Sequence, residues 1–257
     1  MNDELVQRLA AVPGVVAVVL GGSRARGEHR PDSDTDLGIY YRGRLDIDAL
    51  RALAAEVASK YEVFGVGDWG PWVNGGAWLT VDGQAVDWIY RDLDRVQRVW
   101  EDCRAGRFTI ERQVGHPLGF YSHTYAGEVA MCQVLADSTG ELTKLREAIR
   151  QYPEALGDAL VDALWEAEFS IVGARKVPND RVYVAGCLFR AIGVMAQALH
   201  GHARRWTINE KGLVASAARL PQAPDDFKAL AERAVTDLDL AADLLEVVRA
   251  RLCGSAS

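Results

Sequence analysis

The sequence predicts an α/β domain over residues 1–108, followed by an all-α helical bundle domain over residues 109–257. In the first part, short apolar runs of strand type alternate with amphipathic helical patterns. In the second part, strand patterns nearly vanish, and Ala, Leu and Val recur at helical spacing. The change in periodicity is therefore the basis for both the fold class and the domain boundary.

The first domain is predicted to contain helices at 3–12, 46–60 and 92–105, the last ending at Gly106. The β-branched run 15–20 predicts a buried strand that ends in a tight turn at Gly21-Gly22. The strand patterns 76–81 and 84–90 flank Asp82-Gly83, a strong hairpin signal. In the second domain we predict helices at 126–137, 141–151, 155–175, 180–200, 209–219 and 225–252.

Composition indicates a soluble intracellular protein. With 29 basic and 36 acidic residues the formal net charge is −7, so no basic surface for binding nucleic acid is expected. The four cysteines are far apart without a Cys-x-x-Cys pair, which predicts neither a zinc site nor a disulfide framework. No apolar run approaches membrane-spanning length, and the N-terminus has no leader pattern. We expect a cytoplasmic protein with a small-molecule partner and no membrane partner.

The turn after the first strand is a candidate phosphate-binding loop. Without a β-carbon, Gly21 and Gly22 allow a polyphosphate to approach the backbone closely, and Ser23 adds a hydroxyl. Arg26 is a candidate counter-charge. The alternative is a plain turn, which is what most Gly-Gly-Ser triplets form.

Two aspartates follow at a spacing of two residues. On a strand, the side chains of Asp34 and Asp36 project from the same face, where like charges repel unless a cation lies between them. Hard carboxylate oxygens suit Mg²⁺, which completes its shell with water and substrate phosphates. The alternative is a solvated turn that leads into an edge strand.

A third carboxylate, Asp87, lies within an apolar strand pattern. Since burial of an unpaired charge is costly, Asp87 must face a cation, a hydrogen-bond donor or solvent. A position on the solvated face of a hairpin is the alternative.

Together, Gly22-Ser23, Asp34 and Asp36 resemble the signature of the DNA polymerase β-like nucleotidyltransferase superfamily. The resemblance implies a mixed-sheet nucleotidyltransferase domain, ATP or another nucleoside triphosphate as donor, and two Mg²⁺ ions. In that superfamily a third acid from a later strand completes the metal site. Asp87 is the candidate for that position.

The helical half resembles the C-terminal domain of streptomycin and spectinomycin adenylyltransferases, on the stretches 179–181, 187–192, 209–215 and 219–221. The resemblance implies that Arg190 and Lys211 hold ATP phosphates and that Asp180 contributes to the antibiotic site. Those enzymes have Glu as third acid and catalytic base, where this chain has the shorter Asp87.

Several roles have more than one candidate. Asp87, Glu166 and Glu168 are alternative general bases. Trp69 and Trp72, like Trp88, are candidates for stacking on an acceptor sugar or on adenine, with core packing as the alternative.

The expected reaction is Mg²⁺-dependent transfer of AMP, or another nucleoside monophosphate, to a hydroxyl of a small molecule such as an aminoglycoside antibiotic. Two other functions are open at this stage. One is a nucleotidyltransferase that modifies a protein partner, as an antitoxin-like enzyme would. The other is a non-catalytic nucleotide-binding protein.

Overall fold

A six-stranded sheet organises the first part of the chain. The computed structural model describes residues 3–27 and 33–253, apart from the side chain of Cys253. The chain divides into two compact units, residues 1–101, 111–117 and 125–151 in the first and residues 102–110, 118–124 and 152–257 in the second.

The elements up to the middle of the chain are α1 (Asp3–Ala10), β1 (Val15–Leu20), α2 (Gly22–Ala25), β2 (Thr35–Tyr41), α3 (Ile47–Val57), β3 (Lys60–Val63), β4 (Gly76–Val81), β5 (Gln84–Asp92), α4 (Leu93–Arg104), β6 (Ile110–Glu111), β7 (Phe120–Tyr121), α5 (Thr124–Met131), β8 (Gln133–Asp137) and α6 (Glu141–Ile149). The remaining elements are helices: α7 (Glu154–Asp162), α8 (Leu164–Lys176), α9 (Arg181–His202), α10 (Leu213–Ala217), α11 (Phe227–Ala234) and α12 (Leu238–Cys253).

The large sheet has the strand order β3-β4-β5-β2-β1-β8. Strands β2 and β5 are parallel, whereas the other neighbouring pairs are antiparallel. The sheet is therefore mixed, and the predicted fold class, an α/β domain followed by a helical region, is confirmed.

The core of the first unit lies on one face of this sheet. Alternate residues of β2 and β5, among them Leu37, Ile39 and Trp88, are fully buried there with apolar residues of α1 and α3. Because side chains alternate between faces, the intervening residues of β2 and β5 project from the opposite face. Asp36 and Asp87 belong to this second set.

The segment 125–151 belongs to the first unit, whereas the predicted boundary at 108/109 assigned it to the helical domain. The predicted helix 126–137 is in fact α5 followed by β8, which pairs with β1. Hydrogen bonds to a strand far away in sequence override the helical spacing of this segment.

A buried ion pair attaches α5 to the sheet. Arg91, on β5, donates to both carboxylate oxygens of Glu128 at 2.6 and 2.7 Å. The Arg91 side chain is only 4% exposed, so its guanidinium is shielded from solvent. The guanidinium also lies 5.1 Å from the ring centroid of Tyr125.

The second unit is mainly helical, but two of its predicted helices are each divided into two. The pattern 155–175 forms α7 and α8, and the pattern 225–252 forms α11 and α12. At the second break, Asp237 Oδ1 accepts a hydrogen bond from the Leu240 N–H, so a side-chain cap begins a new helix.

The central helix α9 is long and apolar enough to span a membrane by length and composition, contrary to the sequence expectation. More than half of its most apolar stretch is buried within the protein. Positions 191–201 are buried without interruption, which a core helix of a bundle explains.

Candidate active site

Asp36 and Asp87 face each other on neighbouring strands. They are register partners in the parallel pairing of β2 with β5, so both carboxylates project from the same face of the sheet. Parallel strands lie about 4.8 Å apart, which brings the two side chains close together. Both residues are half-buried.

The two carboxyl groups affect each other electrostatically. Burial, followed by the charges of Asp36 and Asp34, raises the pKa of Asp87 to about 6. Burial and the charge of Asp34 also raise the pKa of Asp36, against the lowering effect of Arg26. The three acids therefore form one coupled set, which is costly for the protein alone.

Asp34 is exposed and lies one residue before β2 begins. Within residues 3–27 and 33–253, no three acidic, histidine or cysteine side chains are arranged as a metal-binding group. The strands thus bring two of the three predicted ligands together, and the third is adjacent in sequence.

The carboxylates of Asp36 and Asp87 have the chemistry that Mg²⁺ requires. Each is a hard oxygen donor, and they repel each other across two strands. A divalent cation between them would remove this repulsion. The donor set therefore fits the metal that the sequence predicts.

Gly22 packs directly against Asp36. It has a positive φ of 60°, and a β-carbon built on it would lie 1.7 Å from Asp36 Oδ2. The preceding Gly21 N–H donates to the Asp36 carbonyl at 2.8 Å, which continues the β1–β2 pairing. The Gly-Gly turn thus places bare backbone beside the acidic pair.

The remaining residues of this turn are in the short helix α2. Ser23 is half-buried there, and Arg26 Nη1 donates to the Gly22 carbonyl at 3.0 Å. Arg24 donates to the carbonyls of Ser33 at 2.6 Å and Asp34 at 3.1 Å, and so fixes the start of β2 against α2. Sequence reasoning missed Arg24.

The tryptophans have different environments. Trp88 is fully buried in the core, as the packing alternative predicted. Trp72 packs against Arg95, whose guanidinium lies 4.2 Å from its ring centroid. Trp69 stacks on Trp78, with ring centroids 5.1 Å apart.

Trp78 is a candidate site residue that sequence reasoning missed. It is the register partner of Asp87 in the β4–β5 hairpin and is 50% exposed. The hairpin pattern in the sequence could have identified it. Residue pairs counted outward from the two-residue Asp82-Gly83 turn place Trp78 opposite Asp87.

The proposed phosphate ligands of the helical half, Arg190 and Lys211, lie in the second unit. Arg190 forms an ion pair with Glu166 at 2.5 Å and also donates to the Leu118 carbonyl. Lys211 is exposed, two residues before α10 begins.

Two other predicted residues of this unit have local partners. Asp180 caps α9 by accepting from the Tyr183 N–H at 3.1 Å. Glu168 pairs with Arg249 at 2.6 Å. Each therefore has a stabilising role that needs no ligand.

Part of this site lies in a segment that resembles a known protein family. The family model described as a nucleotidyltransferase domain matches residues 2–67, which include the Gly-Gly turn, Asp34 and Asp36. A comparison with curated proteins found no match. Among solved structures, a nucleotidyltransferase-like protein from Exiguobacterium sibiricum is 14% identical, with a TM-score of 0.40, and the match covers 97% of this chain and 75% of that chain. The N-terminal segment of the chain, residues 2–67, therefore resembles a nucleotidyltransferase domain.

Proposed function

We propose that the protein transfers AMP from ATP to a hydroxyl of a small-molecule acceptor, in a reaction that requires Mg²⁺. The observation that supports this most is the pairing of Asp36 with Asp87 across β2 and β5, beside the Gly22 backbone. Two carboxylates next to a bare glycine turn are suited to a metal-bound polyphosphate.

In this proposal the Gly22-Ser23 turn receives the β and γ phosphates. The absence of a β-carbon at Gly22 leaves room for the Asp36 carboxylate directly beside this turn. Arg26 adds positive charge near Asp36. This charge lowers the pKa of the Asp36 carboxyl, against the raising effect of burial. Arg190 and Lys211 are proposed as further phosphate ligands, on the basis of the adenylyltransferase resemblance.

Asp34, Asp36 and Asp87 would hold two Mg²⁺ ions, which neutralise the charge that develops on the attacking and leaving oxygens. The protein contributes by fixing Asp36 and Asp87 on rigid strands, so that little reorganisation is needed during the reaction.

The reaction forms a bond between the acceptor oxygen and the α-phosphorus and breaks the bond to the bridging oxygen of pyrophosphate, which leaves. We assign Asp87 as the group that accepts the hydroxyl proton. The alternatives Glu166 and Glu168 are already paired with Arg190 and Arg249.

An aminoglycoside is the first acceptor class to test. The resemblance of the helical half to streptomycin and spectinomycin adenylyltransferases supports this choice, and the net charge of −7 is compatible with a cationic acceptor. Asp180 and the region around Trp69 and Trp72 are the proposed acceptor contacts.

The test is incubation of the protein with α-labelled ATP, Mg²⁺ and a panel of aminoglycosides. We expect labelled AMP on an acceptor with wild-type protein, and a loss of about a hundredfold or more with Asp36→Asn. Asp82→Asn is the matched control, because this exposed aspartate lies in the turn of the β4–β5 hairpin at a φ of 51°, which asparagine adopts readily.

The outcomes separate the alternative functions. Label on a co-incubated protein, with none on a small molecule, would replace the proposed acceptor with a protein partner. Mg²⁺-ATP binding that is equal in wild type and Asp36→Asn, without transfer of label, would favour a non-catalytic nucleotide-binding protein.

A further inference from the structure

Three aromatic side chains form a cluster on the sheet face that carries the acids. Trp69 and Trp78 stack with centroids 5.1 Å apart and an interplanar angle of 23°. Phe64 packs against both rings, with centroids 5.2 Å from Trp69 and 4.9 Å from Trp78. We refer to Phe64, Trp69 and Trp78 as the aromatic platform.

Gly76 of β4 and the side chain of Gln113 both contact the segment that bears Trp69. A β-carbon on Gly76 would lie 2.7 Å from the Trp69 ring, so glycine at this position lets the indole lie against β4. The buried Gln113 side chain donates to the Trp69 carbonyl at 2.7 Å and accepts from the N–H groups of Trp72 and Val73. The loop bearing Trp69 is therefore anchored by hydrogen bonds within the protein.

Trp78 nevertheless keeps half of its surface exposed. A large aromatic side chain that is stacked on neighbouring rings and half exposed can bind a ligand at a low entropic cost.

The platform has a defined position relative to the acids. The strand registers align Asp36, Asp87, Trp78 and Glu62 in one row across β2, β5, β4 and β3. Gly21 continues this row on the other side, through its hydrogen bond to Asp36. Neighbouring members of the row are about 4.8 Å apart, so Trp78 lies beside Asp87, on the side away from the Gly-Gly turn.

The direction of an in-line displacement then selects the side from which the acceptor enters. The incoming oxygen and the leaving pyrophosphate are on opposite sides of the α-phosphorus. If pyrophosphate leaves toward the Gly22-Ser23 turn, the hydroxyl must approach from the Asp87 side, where the next residue in the row is Trp78.

We infer that the aromatic platform is the acceptor-binding surface, and that it takes a small molecule with a flat ring face whose hydroxyl points toward Asp87. This inference rests on the proposed function. The ring stacks on the exposed face of Trp78, while the reacting groups lie over the acidic pair. Glu62, exposed and next to Trp78 in the row, favours a positive charge on the far side of that ring.

The test follows the seven tryptophan indole N–H signals by NMR in protein labelled with ¹⁵N, with the Trp78 signal assigned from Trp78→Phe. The probes are amino sugars and nucleosides as ring compounds and glycerol as an acyclic polyol, each added in the presence of Mg²⁺ and a non-hydrolysable ATP analogue. We expect a ring compound to shift the Trp78 signal and glycerol to leave it unchanged. If no ring compound shifts the Trp78 signal, the inference is wrong.

Kinetics give a second measurement with a matched control. Trp78→Ala should raise the acceptor KM at least about tenfold while leaving Mg²⁺-ATP affinity within about twofold of wild type. Tyr61→Ala is the control, because it removes an exposed aromatic ring from β3 that pairs with the buried Leu79 and so belongs to the opposite face. Equal acceptor KM values in the two variants would overturn the inference.

A wild-type protein that does not bind Mg²⁺-ATP contradicts the proposed function itself. A wild-type protein that binds Mg²⁺-ATP and transfers AMP, with the acceptor KM unaffected by Trp78→Ala, contradicts only the platform.

Discussion

Asp36 Oδ2 occupies the space in which a side chain at position 22 would begin, since a β-carbon on Gly22 would lie 1.7 Å from that oxygen. We therefore expect Gly22→Ala to displace the Asp36 carboxylate and to lower Mg²⁺-ATP affinity at least about tenfold. The positive φ at this position adds a stability cost of about 1–2 kcal/mol. Isothermal titration calorimetry and urea denaturation measure the two effects.

Gly27→Ala is the matched control for this prediction. Gly27 has a similar φ of 70°, but a β-carbon there would meet no atom of the described residues within 4 Å. Gly27→Ala should lower the stability by the same amount as the positive φ at Gly22 does, while leaving the Mg²⁺-ATP affinity unchanged. Equal loss of affinity in both variants would mean that backbone strain, and not the contact with Asp36, is responsible.

Asp87→Asn should stabilise the protein at neutral pH when divalent metal is absent. Burial and the neighbouring acids raise the pKa of Asp87 to about 6, above the value of about 3.9 expected in the unfolded chain. The folded state therefore holds this proton more tightly, and wild-type stability falls as pH rises from about 4 to 6. After allowance for solvent screening, we expect the variant to be about 1–2 kcal/mol more stable at pH 7.

Thermal unfolding with a chelator present, at several pH values from 4 to 8, measures this difference. The gain should shrink toward pH 4, where Asp87 is protonated in the folded state and about half protonated in the unfolded chain. Asp82→Asn, at an exposed position in the β4–β5 turn, is the matched control variant. A variant that is less stable than wild type at pH 7 would show that Asp87 has a favourable partner in the folded protein.

Glu128→Gln should destabilise the first unit by about 3 kcal/mol, because it leaves the buried Arg91 guanidinium without its counter-ion. Glu141→Gln is the control, since its partner Arg42 is 30% exposed and such pairs contribute less than about 1 kcal/mol. Urea denaturation compares the two. A similar small loss of stability in both variants would mean that the Arg91–Glu128 pair adds little to the attachment of α5.

Arg190→Ala should lower stability by about 1.5–3 kcal/mol, because it removes charge-assisted hydrogen bonds to Glu166 and the Leu118 carbonyl. Lys211→Ala, at an exposed position, should change stability by less than about 0.5 kcal/mol. If both residues bind phosphate, ATP affinity measured by calorimetry falls about ten- to hundredfold in each variant. Unchanged affinity in both would restrict Arg190 to a structural role in the helical unit.

Local sequence patterns were sufficient to predict much of the secondary structure of the first unit. The β-branched run 15–20 predicts β1 with the observed bounds, and the Asp82-Gly83 turn predicts the β4–β5 hairpin. In both cases the signal is local, because a tight turn with positive φ at Asp82 and Gly83 sets the register of the strands that it joins. Strand β3 was missed, since its four residues are mostly exposed and show no clear alternation.

Long-range pairing could not be predicted in the same way. The residues of β8 have helical spacing, yet they add an edge strand to β1 because backbone hydrogen bonds across more than a hundred positions outweigh a weak local preference. The position of the Arg91–Glu128 pair likewise depends on how α5 folds back onto the sheet.

By itself, the sequence determined the residue types of the candidate site: the Gly21-Gly22 turn, the two acids Asp34 and Asp36, and a third acid within a later strand. These signals are local, since they depend on spacing within a few residues. Only the tertiary structure decided that β2 and β5 are parallel neighbours, which places Asp36 opposite Asp87 and makes Trp78 the next residue in the row. The physical reason is that strand order and register arise from packing of the whole sheet on its core, and this information is spread over α1, α3 and every strand.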